Sequence, residues 1–185
     1  YKLVPVKTPV DKSNPYEMGM IDSDKMLAIV NKWNWGIDDK EDIYLDVESR
    51  KNSITYRSNI SRLVNQLIDE NNFLEAKKII EECMKNLPTN KYGYYTLLEP
   101  FINSYYIVGE AEKARNLFDE IATKYQEKLF YYSTLSNSNK NRYAEEIYTD
   151  IERYRSLVDV MINFEDGKFL EMRMKEFNDH LDLFL

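Results

Sequence analysis

From Asn52 onward, apolar residues recur every three or four positions, the spacing that gathers them on one face of a helix. Tyr56, Ile60, Leu63, Val64 and Leu67 form a first stripe. Asn71 and Asn72 interrupt it, and Asn72 with Glu75 three residues on predicts a capping-box start. Phe73, Ala76, Ile80, Cys83 and Leu87 form the second stripe, closed by Pro88. Two helices joined by about two residues must fold back antiparallel. The design then repeats. Leu98, Phe101, Ile102 and Tyr105 are followed by Gly109, then by Ala111, Ala114, Phe118, Ile121 and Tyr125. Ala76 and Ala114 hold equivalent places, 38 residues apart, where a small side chain lets paired helices approach closely. Ser136–Asn139 breaks the chain before a third pair. That pair carries Ile147, Ile151, Tyr154, Val158 and Met161 and then, after Gly167, Leu170, Met174, Phe177, Leu181 and Phe184. Pro100 falls in the first turn of its helix if Thr96 is the cap and Glu99 completes a capping box.

The first fifty residues read differently. Pro5, Pro9 and Pro15 predict an extended arm over 1–22. Ser23 is the expected cap of a short helix reaching Trp33, with Met26, Val30 and Trp33 on one face and Gly36 ending it. Asp38–Asp42 reads as a solvated turn and Ile43–Leu45 as a brief extended piece. The expected fold is all-α, with an arm and short helix (1–50) preceding about three antiparallel hairpins (51–185).

Composition narrows the function more than the fold. Lys and Arg number 25 against 32 Asp and Glu, a net charge of −7, which excludes the basic footprint of a nucleic-acid binder. One Cys and one His exclude a disulfide framework and a Cys/His zinc site. No apolar run approaches the ~20 residues that span a bilayer, so no bilayer insertion by this segment is expected. The start at Tyr1, through Tyr1-Lys-Leu-Val-Pro5-Val, reads as a piece of a longer polypeptide.

The helical pairs resemble tetratricopeptide repeats, helix–turn–helix units of about 34 residues. Ala76 and Ala114 match the small site of the second helix, Cys83 the later small site and Pro88 the terminating proline. The 38-residue offset is longer than that unit, and Val64 and Ile102 stand where the glycine is usual. A second resemblance covers most of the chain. The order Tyr1-Lys-Leu-Val-Pro-Val, Met26 through Asn31-Lys-Trp-Asn-Trp-Gly36, Tyr44-Leu-Asp46, Arg57 and the helical pairs is similar to the C-terminal region of a bacterial family of multi-spanning membrane proteins of unknown function. Their membrane half resembles GT-C glycosyltransferases, including protein O-mannosyltransferases. The resemblance implies that any transferase chemistry belongs to that half, and that this region is membrane-associated through it and lies on the extracytoplasmic (periplasmic) side.

The resulting expectation is a non-catalytic interaction module without cofactor or metal, docking on its own membrane half or holding an acceptor polypeptide, and open to glycans. The first helices of each pair would present Ser61, Asn65 and Asp69, then Glu99, Asn103 and Tyr106. Asn65 and Asn103 are equivalent, and an amide both donates and accepts. Trp33 and Trp35, with exposed members of the doublets Tyr94-Tyr95, Tyr105-Tyr106 and Tyr131-Tyr132, could stack on a sugar or anchor a partner. An independent carbohydrate- or peptide-binding domain is one alternative; a hydrolase or transferase using Asp22, Asp24 and Asp46 is another. Several features have plainer readings. Asp22 and Asp24 suit a helix start, Cys83 a buried core position and His180 helix packing, while the sequon at Asn59 falls mid-helix.

Overall fold

The structure is a computed structural model that describes residues 21–35, 44–164 and 166–184. Residues 1–20 of the expected arm over 1–22, the Gly36 stop, the acidic turn at Asp38–Asp42 and Ile43 lie outside the described residues. The fold is all-α, with nine α-helices and no strand among the described residues. These are α1 (Ser23–Val30), α2 (Val47–Asp69), α3 (Phe73–Asn86), α4 (Thr89–Tyr92), α5 (Glu99–Ile107), α6 (Ala111–Ser133), α7 (Asn137–Arg142), α8 (Ala144–Asn163) and α9 (Gly167–Leu181). Two 3₁₀ turns, Tyr95–Leu97 and Asp182–Phe184, complete the order.

Three pairs pack as neighbours: α2 with α3, α5 with α6, and α8 with α9. The first helices touch in sequence, α2 on α5 and α5 on α8, and α6 also meets α8 and α9. Ala76 and Ala114 are fully buried, as are Ile80, Cys83, Phe118 and Tyr125. Burial pushes the Cys83 thiol up to about 12, which makes it an inert core side chain.

The 38-residue correspondence extends to the turns inside the hairpins. Asn71 (φ 59°) and Gly109 (φ 82°) both adopt the left-handed conformation that reverses the chain after a helix. In each case the following amide bonds back across the turn, Asn72 N–H to Leu67 C=O at 2.7 Å and Glu110 N–H to Tyr105 C=O at 2.8 Å. The offset also sets the electrostatics between successive second helices. Lys77 on α3 pairs with Glu110, the N-cap of α6; 38 residues on, Arg115 on α6 pairs with Asp166, the N-cap of α9. Glu81 pairs with Lys113, and its counterpart Asp119 pairs with Arg173 at 2.6 Å.

Several expected details differ. Asp22, not Ser23, caps α1, its carboxylate accepting from the Lys25 amide at 3.1 Å, and the helix ends at Val30 rather than Trp33. Helix α2 starts five residues before Asn52, because Asp46 caps it and accepts from the Ser49 amide at 2.9 Å. Asn72 caps α3 with its carbonyl alone; its side chain makes no cap bond, so no capping box forms. Thr96 sits inside a 3₁₀ turn and Leu98 occupies the N-cap of α5, although Pro100 does fall in that helix's first turn. Tyr56, placed on the core stripe of α2, is 45% exposed, and its neighbour Arg57 is fully buried.

Candidate binding surfaces

Arg57 organises the region between the first two hairpins. It sits in the middle of α2, one helical turn before Ser61, and points at main chain rather than at a carboxylate. Its guanidinium donates to the carbonyls of Leu87 (2.7 Å), Gly93 (2.6 Å) and Tyr94 (3.2 Å). Leu87 and Gly93 are the C-caps of α3 and α4, so the cation meets the electronegative ends of two helices. Burial lowers the guanidinium pKa from its ordinary value, though an arginine remains charged. The effect is to fix residues 87–98 against α2 and to shape the recess beside them.

That recess has a volume of about 260 Å³. Trp33, Asn34, Trp35 and Leu45 close it on one side. Ser49, Asn52, Ser53 and Tyr56 from α2 form the floor, and Leu87 and Tyr92 the far wall. The aromatic edge is ordered: Trp33 meets both Trp35 and Tyr56 edge to face, each with ring centroids 5.2 Å apart. Such pairs favour one another beyond their area of contact. Ser49 donates its hydroxyl to Asp46 (3.0 Å) and Ser53 to the Arg50 carbonyl (2.7 Å), which leaves both oxygens with accepting capacity. The Asn52 amide and the Tyr56 and Tyr92 hydroxyls make no hydrogen bond to another described residue. Among the described residues, all ten lining side chains are uncharged.

The other surface lies along the first helices. Asn65 and Asp69 are exposed on α2, and Ser61 is half-buried there. On α5, Asn103 and Glu99 are half-buried. Burial pushes the Glu99 carboxyl up, and the negative charge of Asp159 on α8 adds to the shift, so α5 and α8 contribute to one acidic face. Tyr106 is tied down within the fold. Its ring stacks on Phe164 at 4.7 Å and its hydroxyl donates to Asp166, which Arg115 holds with two bonds of 2.6 and 2.8 Å. The structure therefore divides the sequence candidates in three: Trp33 and Trp35 at the recess, Ser61, Asn65, Asp69, Glu99 and Asn103 along the helix faces, and Tyr106 in a half-buried junction.

The carboxylates considered for an acidic site do a different job. Asp22 and Asp46 are exposed caps of separate helices, and hydrogen bonds from Lys25 and Ser49 hold both below the usual carboxylate range. A general acid near neutral pH needs the opposite shift. The sequence reading named Arg57 only as a residue of the family resemblance and missed both its bonds to the main chain and the polar floor of the recess. A signal existed in Ser49, Asn52 and Ser53, which follow helical spacing on the flank of α2 next to Tyr56. Compared with known proteins, the chain significantly matches no family model, no curated protein and no solved structure.

Proposed function

We propose that this chain is a non-catalytic interaction module, a tetratricopeptide-like array that holds a polypeptide along its first helices. The observation that carries the reading is the face built from consecutive first helices, with Asn65 and Asn103 in equivalent positions and Glu99 feeling Asp159 across the α5–α8 boundary. Neither amide bonds to another described residue, so each can exchange two hydrogen bonds with an extended backbone. The acidic neighbours favour a peptide with basic side chains, and the chain's −7 charge would steer it in. The family resemblance adds the partner: the membrane-embedded, glycosyltransferase-like half of the same polypeptide, or the acceptor polypeptide it works on, on the extracytoplasmic side.

Fluorescence anisotropy with labelled extended peptides of basic, neutral and acidic composition tests this. Basic peptides should bind tightest, more weakly as salt rises, and the double variant Asn65→Ala/Asn103→Ala should lose roughly tenfold or more, the equivalent of two ordinary hydrogen bonds. Equal binding by acidic peptides, or by the double variant, would remove the reading.

A further inference from the structure

We propose that the recess between α1 and α2 is a binding site for a single neutral sugar ring. The proposal does not depend on the peptide-holding face, which lies on other residues, and it stands on the composition and size of the recess.

A pyranose presents one face of C–H bonds and a rim of hydroxyls, each able to donate and accept. It therefore needs an aromatic surface beside a ring of amides and hydroxyls. Both are here. Trp33, Trp35 and Tyr56 make an aromatic edge in which Trp33 meets each of the other two edge to face, so little ordering is left to be done on binding. Opposite them stand the exposed Asn52 amide and the half-buried Ser49 oxygen, with the Tyr92 phenol on the far wall; Ser53, fully buried, only backs the floor. At about 260 Å³ the space lies just under the ~300–1,000 Å³ of sites for drug-sized ligands, so it suits one ring and not an extended chain. The described lining side chains carry no charge, and the charge nearest to them is the Asp46 carboxylate that accepts from Ser49, which disfavours phosphates and uronic acids: an anion entering would lose hydration with no cation to replace it. Arg57 is close in sequence to Ser53 and Tyr56, but its Nη1 and Nη2 donate to the Leu87, Gly93 and Tyr94 carbonyls and the residue is fully buried, so it does not line the recess as a counter-ion.

The chain's two tryptophans are both at this recess, so intrinsic tryptophan fluorescence reports on it alone. The 185-residue chain is titrated with methyl glycosides of the common neutral hexoses and of N-acetylhexosamines, with glucuronate, glucosamine, indole and phenol as controls. At least one neutral glycoside should produce a saturable change, with a Kd of about 1 mM for so small a ligand. Asn52→Ala, at an exposed position and with its fold checked by circular dichroism, should weaken that binding roughly fivefold, the value of one hydrogen bond. Tyr56→Ala should weaken it further. The Asn65→Ala/Asn103→Ala variant should bind the glycoside unchanged, which keeps failure of this site distinct from failure of the peptide-holding face. The proposal is overturned if no neutral glycoside saturates, if the charged sugars bind better, or if Asn52→Ala binds as well as the parent. Saturation by indole or phenol without any glycoside would overturn it too, and would make the recess a socket for an aromatic side chain of a partner.

Discussion

Two connections join the three hairpins, and they are held in opposite ways. Between α3 and α5 the chain bends around a buried cation: Thr89, Tyr92 and Leu98 are buried, and three carbonyls converge on Arg57. Between α6 and α8 the chain passes through α7, which buries nothing and carries its basic residues, Lys140 and Arg142, in its last turn. The second helices on either side, by contrast, are stapled alike at both junctions, Lys77 to Glu110 and Arg115 to Asp166. The lesson is that the repeating unit is specified by helix contacts, whereas the connections are free to diverge. The one that was anchored is the one that borders the recess.

The largest expected effect tests that contrast directly. Arg57→Met keeps the volume and apolar stem but leaves buried carbonyls without donors, at about 1–3 kcal/mol for each unsatisfied group. Urea denaturation should therefore show a loss on the order of 3 kcal/mol. The matching change in the other connection, Arg142→Met, falls on an exposed residue and should stay within ~0.5 kcal/mol. Equal losses would mean that the two connections are held alike after all.

A smaller effect probes the shared unit. Ala76→Leu and Ala114→Leu each force a large side chain between helices packed around a fully buried methyl group, and overpacking of this kind costs about 1–3 kcal/mol. The two values should agree within ~0.5 kcal/mol, and thermal melts of the pair provide the comparison. A large loss at one alanine and none at the other would break the 38-residue equivalence.

That equivalence was legible because it is written in side chains. The alanines, Asn71 and Gly109 at the turns, and the pairs Lys77/Arg115 and Glu81/Asp119 all recur at the same offset. What could not be read is equally specific. Arg57 lies one position from the apolar stripe, and its partners are carbonyls 30 to 37 residues away, which no residue type announces. Tyr106 looked like a free member of a doublet because its partners, Phe164 and Asp166, come from a turn about 60 residues later. The recess followed the same rule. Its tryptophans stood out as a type, but Ser49, Asn52 and Ser53 match the solvated flank of any amphipathic helix until α1 is laid beside them.

The smallest predicted effect separates two carboxylates whose pKa values shift in opposite directions, Glu99 at the start of α5 and Asp166 at the N-cap of α9. Glu99 is raised by burial and by Asp159, so its folded pKa lies above the ordinary value of about 4.3. It costs stability while ionised, and that cost disappears as pH falls through the raised folded value toward the unfolded one. Asp166 is lowered, first by its hydrogen bonds from Arg115, so its contribution is present above the unfolded value of about 3.9 and is lost as pH falls through the folded value. Glu99→Gln should thus stabilise the protein at pH 7 by up to about 1 kcal/mol, a figure already reduced for solvent screening, and the gain should vanish below pH ~4. Asp166→Asn should do the reverse, destabilising at pH 7 and converging with the parent in acid. Denaturation midpoints measured from pH 3 to 7 read both slopes. A Glu99→Gln variant that tracks the parent at every pH would mean that Glu99 is neither desolvated nor repelled by Asp159, and the acidic surface offered to a basic peptide would lose its centre.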